Sequence, residues 1–286
     1  MSLRSRNGRR ARLLRPGNAA WLFLALSGCG CLAAQEGTVG YWDTPARKQA
    51  AMLARIPSDD AGRLALLRRY FSEFGCTGDS LKEQPVEQGS SNLLCTLPGK
   101  FPMPIVVVAR YPASSARNWP AAVALPMLYH ALVAQQRHFT FIFAEACDEA
   151  GERILMDSIR DRKRMSPYAV IAIDAMGRGS PRFFAPHGSA WHDHSVRDEM
   201  EAEAWRIAKI QGWAVEQQAE DAAKAADAVV FPSALLEEAR GVPRILLYSA
   251  TGSDGLPEAF HRDLDFAAFY LSAIDLQLDP FEHMPE

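Results

Sequence analysis

The chain lacks a charge imbalance, has few cysteines and contains no apolar run long enough to cross a membrane. Each shortage removes a class of function. With 31 Lys and Arg against 34 Asp and Glu in 286 residues, the formal net charge is -3, so there is no electrostatic argument for a nucleic-acid partner. The five cysteines stand at positions 29, 31, 76, 95 and 147, and no spacing among them suits a structural zinc knuckle. The apolar stretch from Ala19 to Leu26 falls well short of the ~20 residues a bilayer-spanning helix needs. Internal repeats and low-complexity tracts are also missing. What remains is ordinary for a globular protein: 48% apolar and 23% charged residues, enough for one α/β domain with a full core.

Positive charge gathers at the N-terminus, in Arg4, Arg6, Arg9, Arg10, Arg12 and Arg15. A basic segment followed by a short apolar one has the form of an export signal. The apolar stretch closes on Leu26-Ser27-Gly28-Cys29, which resembles a bacterial lipobox with Cys29 as the lipidated first residue of the mature chain. Plain cleavage near Leu32-Ala33-Ala34 is the rival reading. The expectation is a leader over residues 1–34 and a single domain over 35–286, in a periplasmic protein touching the membrane only through a lipid anchor at Cys29. In an oxidising compartment Cys76 and Cys95, beside neighbouring strands, are free to form a disulfide. Cys147 is then left as a buried apolar thiol.

Between Thr44 and Phe74, apolar residues recur at three- and four-residue steps, which predicts helix. Pro57-Ser58-Asp59-Asp60 divides it in two and supplies a cap for the second helix, which Gly75 ends. Ser91–Thr96 and Ile105–Val108 read as strands joined by the Leu97-Pro98-Gly99-Lys100 turn. The second is apolar on both faces, as a strand covered by helices on both sides must be. A helix over Pro120–Gln136, a strand over Thr140–Phe143, a helix after Gly151 and strands over Ala169–Ile173 and Arg244–Ser249 follow. Arg182–Trp205, with His187, His192 and His194, reads as a polar loop leading into a helix over Glu199–Ala226. The alternation predicts an α/β fold: a mostly parallel central sheet with helices on both faces.

In such sheets, sites gather where the strands end at their carboxyl edge. Polar clusters follow four of the strands: Ala109-Arg110-Tyr111-Pro112, Glu145-Ala146-Cys147-Asp148-Glu149-Ala150-Gly151, Asp174-Ala175-Met176-Gly177-Arg178-Gly179, and His261-Arg262-Asp263-Leu264-Asp265. Carboxylates and a histidine converging from separate strand ends can hold a metal with a general base beside it. In this order, and together with Ser91-Asn92-Leu93-Leu94-Cys95-Thr96-Leu97-Pro98-Gly99, the clusters resemble the co-catalytic zinc aminopeptidase family. That family also contains glutaminyl cyclases and the non-enzymatic transferrin receptor ectodomain. The resemblance spans about residues 61–278 and implies a zinc-aminopeptidase-like fold.

Carried over residue by residue, it implies Asp148 as general base, one methylene shorter than the usual Glu. It implies Glu149, Asp174 and His261 as metal ligands, with Asp265 behind His261. Two positions depart from the pattern. Arg110 stands where a ligand His is expected, and Asn118 stands where an Asp bridges two metals. An arginine does not deprotonate to bind zinc and its cation repels one, while Asn118 is a neutral, weak ligand. The substrate segment expected before Gly241-Val242-Pro243 is replaced by Pro232-Ser233-Ala234-Leu235. Two zinc ions are therefore excluded and at most one is admitted, held by Glu149, His261 and Asn118, unless His192 or His194 reaches in. A salt bridge from Arg110 to Asp148, Glu149 or Asp174 is the structural alternative to any metal. The reading favoured is a non-catalytic relative that binds a peptide or protein partner. The alternative is a single-zinc aminopeptidase or glutaminyl-cyclase-like enzyme acting on peptide N-termini.

Overall fold

The computed structural model describes residues 43–86, 90–134, 136–163, 167–185, 191–212, 242–249 and 257–278, without the side chains of 160–163 and 191–195. The chain divides into two compact units, Met1–Glu36 and Gly37–Glu286. The first unit, and with it the expected leader and Cys29, lies outside the described residues. So do His187 and the Pro232-Ser233-Ala234-Leu235 segment. No described helix is long and apolar enough to cross a membrane.

Seven strands form one sheet: β1 Leu81–Pro85, β2 Ser91–Leu97, β3 Phe101–Arg110, β4 Phe139–Ala146, β5 Ala169–Asp174, β6 Pro181–Phe184 and β7 Arg244–Ser249. Their order is β1-β2-β4-β3-β5-β7-β6. The central four, β4-β3-β5-β7, are parallel; β2 and β6 run antiparallel to them, and the edge strand β1 pairs antiparallel with β2. The mostly parallel centre agrees with the sequence reading. Ile105, Val106, Val107 and Val108 are all buried, and successive residues serve opposite faces: Ile105 and Val107 join one core cluster, Val106 and Val108 the other.

The helices are α1 Ala46–Leu53, α2 Asp60–Glu73, α3 Trp119–Val133, α4 Glu149–Lys163, α5 Trp191–Ile210 and α6 Glu258–Gln277. Leu155, Met156 and Ile159 of α4 pack on the Val106–Val108 face, while α2, α3, α5 and α6 cover the other. Asp59 caps α2, its Oδ1 accepting from Gly62 N at 2.7 Å, which satisfies an otherwise orphaned donor. After α2 the chain passes through Gly75 at φ 95°, a left-handed conformation open to glycine at little cost.

The turn after β2 joins it to β3 as expected, but the two strands are not partners, because β4 lies between them and pairs with both. Two sequence readings need correction. Arg182–Trp205 is not a single loop: it contains most of β6 and much of α5, and the helix expected to begin at Glu199 begins at Trp191. Its continuation past residue 212 lies outside the described residues. Strand β4 also does not end at Phe143 but runs on to Ala146, which buries Glu145 completely. The Cys76–Cys95 disulfide is formed, with Cα atoms 6.3 Å apart, and Cys147 is a buried free thiol.

Candidate functional site

Two turns at the carboxyl edge of the sheet and one helix frame a small cleft. It is lined by Val108, Ala109, Arg110, Asn118, Glu152, Ile173 and Asp174. Arg110 closes β3, and its side chain turns to α4. There its Nε meets Glu152 Oε1 at 2.7 Å and its Nη2 meets Oε2 at 2.5 Å. This is a two-pronged, charge-assisted contact whose planar geometry only arginine supplies. Glu152 is buried to 1% side-chain exposure, Arg110 to 17%. Burial works against the guanidinium charge, but the bonds to Glu152, with Glu149 and Asp174 nearby, hold its pKa above the ordinary value.

Asp174 closes β5 at 7% exposure. Its Oδ1 accepts from the Ala175 N–H at 2.7 Å. Burial pushes its pKa up to about 6, against the opposing pull of that bond and of Arg110, Arg117 and Arg178. The turn that follows is tightly held. Ala175 has φ 47° and Gly177 φ 77°, and a non-glycine residue in that region carries strain. Asp263 of α6 accepts from Gly177 N at 2.6 Å, and Ser249 Oγ of β7 accepts from Arg178 N at 2.9 Å. Burial pushes Asp263 up to about 7.

Asn118 ends a 3-10 turn, Ala116–Asn118, ahead of α3, and its Oδ1 accepts from Ser115 Oγ at 3.3 Å. The loop before it is wrapped around Arg63 of α2. Arg63 Nη1 donates to the carbonyls of Tyr111 (3.1 Å), Ser115 (3.0 Å) and Pro112, and its Nε donates to that of Pro57. A buried cation satisfied by carbonyl oxygens thus holds the loop that carries Asn118 into the cleft.

Asp148 and Glu149 serve the start of α4. Asp148 Oδ1 accepts from Gly151 N at 2.8 Å, the bond of an N-cap to the third helical residue, and the residue is exposed. Glu149 Oε1 bonds Arg153 Nη2 at 3.0 Å on the outer surface. Asn92 of β2 locks this turn: its Oδ1 accepts from Cys147 N at 3.1 Å and its Nδ2 donates to Gly151 O at 2.7 Å. A Cβ on Gly151 would collide with Asn92 Oδ1, so glycine is required there.

His261 does not join Asp174. Residues 261 and 263 of α6 lie roughly 200° apart around the helix axis. Asp263 faces the Gly177 turn, so His261 faces away from it. Its Nδ1 lies 3.1 Å from Gln49 Nε2 on α1, and its Nε2 lies 3.4 Å from Asp265 Oδ2. Among the described residues, three ligand-type side-chain atoms come within 4.8 Å of one another only at Asp43, His261 and Asp265.

The fold therefore brings Asn118 and Asp174 into one cleft with Arg110. Asp148 and Glu149 are placed at the α4 cap and His261 on another surface. The partner of Arg110 is Glu152, rather than Asp148, Glu149 or Asp174. Glu152 was missed although a signal existed: it sits one helical turn beyond Glu149, where i and i+3 residues share a face. His192 and His194 fall in the first turn of α5, with side chains outside those described.

No protein-family model matches the sequence, and no curated protein matches it. Solved structures do match in fold. The Legionella pneumophila LapA aminopeptidase is 11% identical with TM-score 0.59, over 82% of this chain and 71% of that one. A putative zinc-dependent exopeptidase from Bacteroides vulgatus is 12% identical with TM-score 0.57, over 84% and 99%. The Fimbriiglobus ruber glutaminyl cyclase is 12% identical with TM-score 0.57, over 79% and 93%. The chain thus has the fold of zinc-dependent exopeptidases, aminopeptidases and glutaminyl cyclases, and identities this low speak to fold alone.

Proposed function

We propose that this protein is a non-catalytic member of the zinc-exopeptidase fold, exported and anchored at Cys29, that binds a peptide or protein partner at the carboxyl edge of its sheet. One observation carries the loss of catalysis: the Arg110–Glu152 ion pair beside Asp174. A catalytic zinc takes three protein ligands and keeps one position open. In this cleft Glu152 is already bound to a permanent cation, Asn118 is neutral, and Asp174 is the one carboxylate left. The donor set does not fit a divalent ion, and the guanidinium would repel one.

Partner binding is supported by Asp174, which lines the cleft and accepts a single backbone bond. A carboxylate has further lone pairs for the ammonium or amide of a peptide. Export is supported by the Cys76–Cys95 disulfide, since such bonds persist mainly in oxidising compartments. The single-zinc enzyme, with Asp148 as base and Glu149, His261 and Asn118 around the metal, would need Glu149 to leave Arg153 and His261 to leave Gln49 and Asp265.

The test is hydrolysis of aminoacyl and cyclisation of glutaminyl substrates with zinc supplied. No turnover is expected, and Arg110→His with Asn118→Asp should create zinc binding that Asp174→Asn removes. Turnover by the unaltered chain, abolished by Asp174→Asn, would sink the proposal. Replacement of Cys29 by Ala should release the chain from the membrane fraction, and retention there would refute the anchor.

A further inference from the structure

We infer that the cleft, read as the partner-binding site proposed above, takes a neutral amide group of that partner, a peptide unit, rather than a free terminal ammonium or a carboxylate. Three side chains that line it, Arg110, Asn118 and Asp174, each keep a polar atom uncommitted. Glu152 occupies the Nε–Nη2 edge of Arg110. In a planar guanidinium the remaining Nη1 then points directly away from that carboxylate, with two N–H groups to give. Asn118 uses its Oδ1 on Ser115, which leaves the two N–H groups of Nδ2. Asp174 uses its Oδ1 on the Ala175 N–H, which leaves Oδ2 as an acceptor. None of the three atoms is among the unpartnered polar atoms sealed from solvent.

Two donors and one acceptor in one cleft complement a group that both accepts and donates. An ammonium only donates. It satisfies Asp174, but it leaves Nη1 and Nδ2 facing a cation, and Arg110, Arg117 and Arg178 all lie close enough to Asp174 to act on its charge and so to repel another positive one. A carboxylate only accepts. It suits Arg110 and Asn118 but meets the like charge of Asp174. A peptide unit does both without a net charge: its C=O accepts from Arg110 Nη1 and Asn118 Nδ2, and its N–H donates to Asp174 Oδ2. No ion has to be stripped of water for it to enter. Both donors are in place beforehand, Arg110 through Glu152 and Asn118 through the loop that Arg63 holds, which lowers the cost of binding. Val108, Ala109 and Ile173 complete the wall with apolar surface for the carbons beside the amide. The site therefore needs no free chain end, and an internal or N-terminally blocked segment enters it as a free one does.

The experiment adds N-methylacetamide, methylammonium or acetate to the full chain at pH 8 with a chelator present. Nitrogen-15 NMR follows the Asn118 side-chain amide and the Ala175 backbone amide. N-methylacetamide should shift both signals saturably, and methylammonium and acetate should bind at least about tenfold more weakly, the worth of one hydrogen bond to a charged group. Asn118→Asp, which turns a donor into an acceptor, should weaken N-methylacetamide about tenfold, read at Ala175. Asp174→Asn, which removes the opposing charge, should tighten acetate about tenfold. Methylammonium binding as tightly as N-methylacetamide would overturn the amide reading and leave the cleft a partner site for a chain terminus. Binding of N-methylacetamide that is indifferent to both substitutions would overturn it too. No saturable shift with any of the three would overturn it and sink partner binding at the cleft along with it, so the two failures are distinguishable.

Discussion

Replacing Glu145 by Gln should make the protein relatively more stable the higher the pH. Glu145 stands in β4 opposite Ala109 of β3 and Leu93 of β2. Two-residue alternation puts it on the same face as Phe139, Phe141 and Phe143, which are part of the larger core cluster. It is 0% exposed, and neither carboxylate oxygen has a hydrogen-bond partner. Burial therefore pushes its pKa well above the ordinary 4.5. Below that value both the folded and unfolded chains hold the proton, so no stability is lost. Above it the unfolded carboxyl ionises while the folded one stays neutral, so folding takes up a proton. Stability then falls by about 1.4 kcal/mol per pH unit until the folded pKa is passed. Asp174 and Asp263, raised to about 6 and about 7, contribute with the same sign, but they are common to both chains and cancel in the difference. Urea unfolding at pH 5, 6 and 7 measures it. The variant's advantage should grow with each rise in pH, and about 1.4 kcal/mol per unit, the value of one pKa unit, is its ceiling. Parallel stability curves would show that Glu145 is ionised in the folded state, and would refute the burial argument.

Three further outcomes follow from particular contacts. Replacing both Cys76 and Cys95 by Ala removes a crosslink closing a loop of sequence separation 19, and should cost about 3 kcal/mol in urea unfolding. Gly151→Ala forces a methyl into Asn92 and should cost about 1–3 kcal/mol; because the two residues touch, pairing it with Asn92→Ala should cost less than the sum of the single changes. Arg110→Met leaves the buried Glu152 unpaired and should destabilise by about 3–5 kcal/mol, most of it recovered by adding Glu152→Leu. A double-mutant cycle by thermal or urea unfolding reads the recovery, and additive losses would show that the pair is not coupled.

Several features were legible because their causes are local. The buried run Ile105–Val108, the break at Pro57-Ser58-Asp59-Asp60 and the Asp59 cap each depend on residues a few positions apart. Cys76 and Cys95 were a plausible pair because both flank neighbouring elements. Glu145 was misread because a glutamate after an apolar run looks like the end of a strand. The alternation through Phe139, Phe141 and Phe143 continues to it all the same, and the hydrogen-bonded ladder with β2 and β3 carried the backbone on. β6 was missed because it is four residues long and exists through pairing with β7.

At the cleft the division is sharper. The sequence alone determined that Arg110 and Asn118 carry side chains unsuited to binding zinc, since side-chain chemistry does not depend on the fold. Only the tertiary structure decided where the ligand-type side chains point. The insertion of β4 between β2 and β3 and the pairing of Arg110 with Glu152 come from contacts between distant segments. The helical phase of α6, which gives Asp263 to the cleft-side turn and His261 to Asp43 and Asp265, is set by packing against the sheet and α5. A motif names residues in order along the chain, but a metal or a partner meets them in space.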